Sequence, residues 1–264
     1  MRGISSVQSV RSADGTSIAV ERTGKGAPLL LVHGTSSSRG RWAPILARLA
    51  DRQEVITVDR RGRGESGDAS AYAIEREFED IAAIVEDIGG KVDVFGHSYG
   101  AICAIGACRM TSHIGRLVLY EPPLGAIAPE NTTADAIDAC VQRGDLAGGL
   151  TAFLSGILGL SDEQIAAARA LPNWPRRLDV VPTIAREIRV VQGFQFSPAE
   201  LRNIHRRSLL LVGSDSLLAF KSAIAMLGEV MPEASIATLS GQQHQAIDLA
   251  PDLLLDAVQP FLDS

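Results

Sequence analysis

Five short, almost uninterrupted apolar runs punctuate this chain, and they limit its fold more than any other feature. They are Pro28 to His33 (PLLLVH), Glu54 to Asp59 (EVITVD), Lys91 to Phe95 (KVDVF), Arg116 to Glu121 (RLVLYE) and Ser208 to Gly213 (SLLLVG). A run this short without polar alternation reads as a strand buried on both faces, the signature of a parallel sheet. Helical segments fall between most of them: Trp42 to Ala50, Tyr72 to Ile88, Tyr99 to Met110 and Leu217 to Val230. A further strand, Ala234 to Leu239, precedes a last helix from Ile247 to Phe261, and Gln8 to Ala13 and Ser17 to Arg22 form a predicted hairpin around Asp14-Gly15. The sum is an α/β chain with a mostly parallel eight-stranded sheet flanked by helices.

One interval interrupts the alternation. From Pro122 to Ile204 the periodicity is helical, with Ser161 to Gln164 as a capping box and Ser197-Pro198 as a second helix start. The expected organisation is therefore a core of residues 1–121 and 205–264 with a helical cap, residues 122–204, over the C-terminal ends of the strands. Ligands bind at that end in open α/β sheets.

Composition excludes several classes of function. The net charge of −6 is spread along the chain, which gives no electrostatic footprint for nucleic acid or an anionic membrane. Arg60, Arg61 and Arg63 form the densest basic cluster, and among glycines and acids they read as a solvated loop. The first residues carry no apolar signal-like stretch and no run spans a bilayer, so a cytoplasmic location is expected. Cys103, Cys108 and Cys140 match no metal or disulfide spacing and read as reduced thiols buried in helices. No metal cluster or dinucleotide fingerprint is present, so neither metal nor cofactor is expected.

The chemistry gathers at Val94 to Ala101, VFGHSYGA. Gly96-His97-Ser98-Tyr99-Gly100 is a G-x-S-x-G match lying between a predicted strand and a predicted helix, where flanking glycines permit a sharp turn that exposes the serine hydroxyl above the sheet. The helix start beside it favours developing negative charge.

With these residues the chain resembles the α/β-hydrolase superfamily. Leu29 to Ser37 (LLLVHGTSS) resembles its His-Gly oxyanion loop, Asp59 to Ser66 (DRRGRGES) its turn after the fourth strand, and Gly241 to Asp252 (GQQHQAIDLAPD) its histidine loop. The resemblance implies Ser98 as nucleophile, His244 as base, and the backbone N–H groups of Thr35 and Tyr99 as oxyanion donors. His33 and His97 shape loops in this reading, while His113 and His205 are surface residues. The triad acid has two candidates. The usual aspartate position after the seventh strand holds Ser216, with Asp215 one residue early. Glu121 ends the sixth strand 23 residues after Ser98, as the triad acid does in zearalenone-type lactonases and certain haloalkane dehalogenases. Glu121 is the preferred acid and Asp215 the alternative.

A serine at the elbow argues against dehalogenase and epoxide hydrolase chemistry, which in this superfamily uses aspartate there. The resemblance thus implies a cap-bearing serine hydrolase acting on a small-molecule carboxylic ester or lactone, an esterase or lactonase. A lyase or carbon–carbon bond hydrolase on the same triad, and a non-catalytic ligand receptor of the same fold, are the alternatives. Within the cap, Phe153, Trp174, Phe194 and Phe196 are candidates for a pocket wall. Trp174 is chosen for substrate binding because Pro172 and Pro175 bracket it in a predicted turn.

Overall fold

The computed structural model describes residues 7–128 and 132–264. Its eight strands are β1 (Val7–Arg11), β2 (Ser17–Gly24), β3 (Ala27–Val32), β4 (Gln53–Val58), β5 (Val92–His97), β6 (Ile114–Tyr120), β7 (Ser208–Gly213) and β8 (Ala234–Leu239). They make one sheet in the order β1-β2-β4-β3-β5-β6-β7-β8. The β1–β2 and β2–β4 pairs are antiparallel and every later pair is parallel. After β4 the chain crosses to the far side of β3 to lay down β5. The ends of β3 and β5 therefore lie side by side at the point where the winding reverses, and the loops leaving them form the crevice such a reversal creates.

Leu29 to Val32 are fully buried, as are Val94 and Phe95 and nearly all of β7, because helices cover both faces. On one face α1 (Ala43–Ala50), α11 (Ala246–Leu249) and α12 (Pro251–Leu262) pack against Leu29, Leu31, Phe95 and Leu211. On the other, α2 (Ile74–Ile88), α3 (Tyr99–Ala107) and α10 (Leu218–Val230) pack against Leu30, Val32, Val94 and Leu119. The alternation of inward residues along each strand is the period-two rule acting on a two-sided sheet.

Between β6 and β7 the described residues form no strand. They fold into α4 (Thr133–Gln142), α5 (Leu146–Gly156), α6 (Asp162–Arg169), α7 (Trp174–Asp179), α8 (Ile184–Gly193) and α9 (Pro198–Arg202). Both expected helix starts form capping boxes, Ser161 with Gln164 and Ser197 with Glu200. Ile137, Leu150, Leu154 and Ile184 join the same apolar cluster as α2 and α3, so these helices share a core with one side of the sheet. Among the described residues no helix is long and apolar enough to cross a membrane.

Three expectations need correction. Arg60, Arg61 and Arg63 are not solvated but at most 2% exposed. Arg60 donates from Nε and Nη2 to Glu77 at 2.8 and 2.7 Å and also reaches Glu187, while Arg63 Nη2 lies 2.6 Å from Glu187. Arg61 forks onto Asp80 with two 2.7 Å bonds and pairs with Asp14 at 2.9 Å. Guanidinium groups are buried here because carboxylates from distant segments are buried with them. Since Glu187 belongs to α8, the network ties the turn after β4 to the inserted helices. The thiols are free but unequal: Cys103 is buried, whereas Cys108 and Cys140 are half-buried. Trp174 stands in no turn; it opens α7, with Pro175 in the first turn, where proline is tolerated for lack of a needed N–H.

Candidate active site

β5 ends at His97 and α3 begins at Tyr99, leaving Ser98 alone to turn the chain. Its backbone sits at φ 56° and ψ −124°, a conformation that costs an L-residue about 1–3 kcal/mol. The surroundings hold it there: the Ser98 N–H donates to the Tyr120 carbonyl at 2.8 Å, and the Ser98 carbonyl accepts from Ala101 at 2.9 Å. A side chain at Gly96 would collide with the backbone of Ala101, and one at Gly100 with the carbonyls of Val32 and His33. The flanking glycines therefore permit close approach of α3 to β5 and β3.

Thr35 lies in the loop after β3 and lines the cavities beside Ser98. Tyr99 is the first residue of α3, whose N–H groups lack intrahelical acceptors. Among the described residues neither N–H is taken by another backbone carbonyl. The Tyr99 side chain turns away into the core, its hydroxyl 2.8 Å from that of Tyr72 and its ring 4.5 Å beneath Arg60, so only its backbone can serve the site. His33 braces this loop: Nδ1 donates to the Gly34 carbonyl at 2.8 Å and Nε2 accepts the Arg60 N–H at 3.2 Å. Burial, followed by the charges of Arg60 and Arg63, holds its imidazole well below the usual range and neutral.

His244 meets Glu121. The His244 Nδ1 to Glu121 Oε2 distance is 2.6 Å, and the other oxygen, Oε1, accepts the Gly213 N–H at 2.8 Å and the Ser216 hydroxyl. Glu121 is fully buried and, at φ 46°, also left-handed. Burial alone would raise its carboxyl, but the bonds from His244, Gly213 and Ser216 outweigh that and hold it below the ordinary glutamate value. Asp215 is exposed and accepts from the neighbouring Ser214 hydroxyl at 2.8 Å. The structure thus brings Glu121 to His244 and leaves Asp215 outside, with Ser216, at the usual aspartate position, donating to the glutamate.

His97 anchors the histidine loop, its Nε2 donating to the His244 carbonyl at 3.1 Å. Phe220 stacks on the His244 ring, 4.6 Å between centroids and 15° from parallel. Ser98 and His244 line one cavity, and the Ser98 hydroxyl makes no hydrogen bond among the described residues.

Three cavities converge. One of about 70 Å³ carries His244, Ser36, Arg41 and Arg177 on its wall with Ser98. A second, about 20 Å³, lies between Ser98 and Pro123, Ile127, Phe153, Ile188 and Val191 and is mostly apolar. A third, about 340 Å³, opens past His244 between Leu160, Leu217, Phe220 and Leu249. Phe153 lines the first two. Phe194 and Phe196 instead pack on Phe78, at 5.7 and 6.0 Å. Trp174 is buried in the helical core with Arg169 5.8 Å from its ring, and its neighbours Asn173, Arg176 and Arg177 reach the cavity instead. Sequence reasoning missed Ser36, although it lies within the LLLVHGTSS segment, and Arg41, Arg177 and Phe220, which belong to no motif. The only signal was the adjacent pair Arg176-Arg177 in a helical segment with few partners nearby.

The model of a family described as the alpha/beta hydrolase family matches residues 29–257. An alpha/beta hydrolase from Sphaerobacter thermophilus superposes with a TM-score of 0.84 at 35% identity, over 97% of this chain and 98% of its own. The esterase RhEst1 from Rhodococcus sp. ECU1013 gives 0.76 at 26% identity, over 98% and 99%. The 2-(acetamidomethylene)succinate hydrolase of Mesorhizobium japonicum is 24% identical over 259 residues, 93% of this chain and 91% of that protein.

Proposed function

The chain belongs to the alpha/beta hydrolase family, and from that premise we propose that it is a serine hydrolase cleaving a small-molecule carboxylic ester or lactone through an acyl-enzyme. Ser98 is the nucleophile, His244 the base and Glu121 the acid. The observation that carries this reading is the 2.6 Å contact between Glu121 and His244 Nδ1 on the cavity that Ser98 lines. A carboxylate accepting from Nδ1–H leaves Nε2 unprotonated and ready for the serine proton.

Ser98 Oγ bonds to the substrate carbonyl carbon as its proton passes to His244 Nε2. The carbonyl electrons move onto oxygen, where the Thr35 and Tyr99 N–H groups stabilise them; a single such donor is worth about 10²–10³ in rate. Collapse breaks the bond to the departing alkoxide, which takes the proton from His244. In a lactone the alkoxide stays attached to the acyl chain. Water, deprotonated by His244, then attacks the acyl-enzyme, and the proton returns to Ser98 as the acid leaves. None of these steps calls for a cofactor. The helices of residues 122–204 act as a cap that excludes water and supplies Phe153, Ile188 and Val191 to the apolar cavity.

A second reading is favoured by the Mesorhizobium relative, whose name carries an acetamido group: the same cycle acting on a nitrogen-bound acyl group. Mapping of fluorophosphonate labelling, with turnover of p-nitrophenyl acetate set against p-nitroacetanilide, tests both. Label on the Ser98 peptide and faster ester turnover support the first reading, and preferential anilide turnover the second. A folded protein labelled at another residue, or not at all, overturns both.

A further inference from the structure

Arg177 reaches from α7 into the cavity beside Ser98, where its Nη2 donates to the Ser36 hydroxyl at 3.1 Å. Its neighbour Arg41 is ion-paired with Asp248. Arg177 has no carboxylate in contact among the described residues, unlike the buried guanidiniums of Arg60, Arg61 and Arg63. The wall thus carries three arginines, Arg41, Arg176 and Arg177, against one acid, Asp248, for a net charge of +2. Burial, with the charge of Arg41 as the next cause, pushes the Arg177 guanidinium down to about 10 against the smaller opposing pull of Asp248, the direction expected of a desolvated cation without a carboxylate in contact. Ser36, which receives the arginine's bond, is held at φ 50°, one of three non-glycine residues at positive φ among the described residues. The other two are Ser98 and Glu121.

His244 lines this cationic cavity and is absent from the wall of the small apolar one, whereas Ser98 and Thr35 border both. A general acid must lie within hydrogen-bond reach of the atom it protonates, so the departing half of the substrate lies on the cationic side and the acyl half on the apolar side. We propose that the natural substrate carries a carboxylate in its departing half and that Arg177, steadied by Ser36, binds it. The planar fork of a guanidinium matches a carboxylate with two parallel bonds, and its strength is greatest where water is excluded. The orientation rests on the hydrolytic roles of Ser98 and His244 proposed above; the anion site itself does not.

Two isosteric esters separate the ideas, 3-acetoxypropanoate and its neutral carboxamide. Both give the same acetyl-enzyme, so a difference in kcat/KM reports only the acylation half-reaction. The wild-type protein should favour the carboxylate, chiefly through KM. Arg177→Met should lower the carboxylate-to-amide ratio by about thirtyfold, the size expected for loss of a charged hydrogen bond. Arg177→Lys should lower it less, since a point charge remains. In parallel, 3-hydroxypropanoate is titrated calorimetrically into Ser98→Ala protein with and without Arg177→Met, melting temperatures confirming that each variant is folded. Binding at least tenfold weaker without the arginine supports the anion site even if no ester is hydrolysed, in which case it is the hydrolytic reading that falls. A ratio insensitive to Arg177, or binding unchanged in the calorimeter, overturns the proposal, as does a preference of the wild type for the carboxamide.

Discussion

Replacing Glu121 with glutamine tests the proposed acid by a change of one group, O⁻ to NH₂, in a side chain of almost the same shape. The surroundings decide which way the amide turns. Oε1 receives two donors, the Gly213 N–H and the Ser216 hydroxyl, and Oε2 faces His244 Nδ1. An amide oxygen satisfies the first pair, so the NH₂ is forced toward His244 and donates to Nδ1. Nδ1 must then be the bare nitrogen and Nε2 the protonated one, the wrong tautomer for taking a proton from Ser98. The same inversion in the serine-protease template lowers kcat by about 10⁴, which corresponds to roughly 5 kcal/mol of transition-state stabilisation. The assay is single-turnover acylation of Glu121→Gln by p-nitrophenyl acetate beside Asp215→Asn, with melting temperatures measured for both. The Gln variant should stay folded and lose three to four orders of magnitude, as the tautomer argument requires. The Asn variant, altered at an exposed residue with no contact to His244, should lose less than about tenfold. A Gln variant within tenfold of wild type would refute the reasoning. So would collapse of the Asn variant alone.

Ser98→Ala should lose labelling and turnover with its fold intact, while Ser98→Gly, equally inactive, should melt higher because glycine accepts φ 56° without strain, a gain of about 1 kcal/mol by urea unfolding. Gly100→Ala should destabilise by about 3 kcal/mol or more, read by the same unfolding curves, since the added methyl meets the Val32 and His33 carbonyls and not a side chain that could move aside. Glu187→Gln should cost about 3–5 kcal/mol by leaving Arg60 and Arg63 short of a buried counter-charge; an unchanged unfolding midpoint would show that the network contributes nothing to stability. The Glu77 carboxyl is held below its ordinary value because the Arg60 charge and bonds outweigh its burial. A depressed carboxylate stabilises the fold above its unfolded pKa, about 4.3, and that contribution fades as pH falls toward the folded value. Stability should therefore drop between about pH 5 and 3, less steeply in Glu77→Gln, although Asp80, raised chiefly by burial, works with the opposite sign.

The strands were legible because burial on both faces removes polar alternation, a local property that a sequence displays directly. Ser98 was legible for a similar reason: the glycines that allow its turn stand within two residues of it. Glu121 could be weighed against Asp215 only through chain spacing, and the contacts that set the two apart, His244 meeting Glu121 across 123 residues and Ser216 donating to it across 95, are not properties of any one segment. Arg60, Arg61 and Arg63 were misread because a charged residue is by default exposed, while their partners Glu77, Asp80 and Glu187 lie 17 to 127 residues away. The same blindness hid Arg177, whose interest lies in a carboxylate contact that the described residues do not supply. Trp174 failed in the opposite way. Prolines on both sides suggested a turn, yet Pro175 occupies the one place in a helix that welcomes it, and the indole was drawn into the core.

In the proposed triad, an acid at the end of β6 separates two duties that one beyond β7 would combine. Gly213 and Ser216 remain tied to Glu121, but the residues just beyond, Leu217 and Leu218, are 44% and 77% exposed, and Leu217 borders the widest of the three cavities. Exchanges of the exposed side chains there reshape an entrance without altering a residue of the proposed triad. In an evolving lineage, or in a directed-evolution library, residues 217–219 are therefore ground on which substrate range can drift while the reaction itself is conserved.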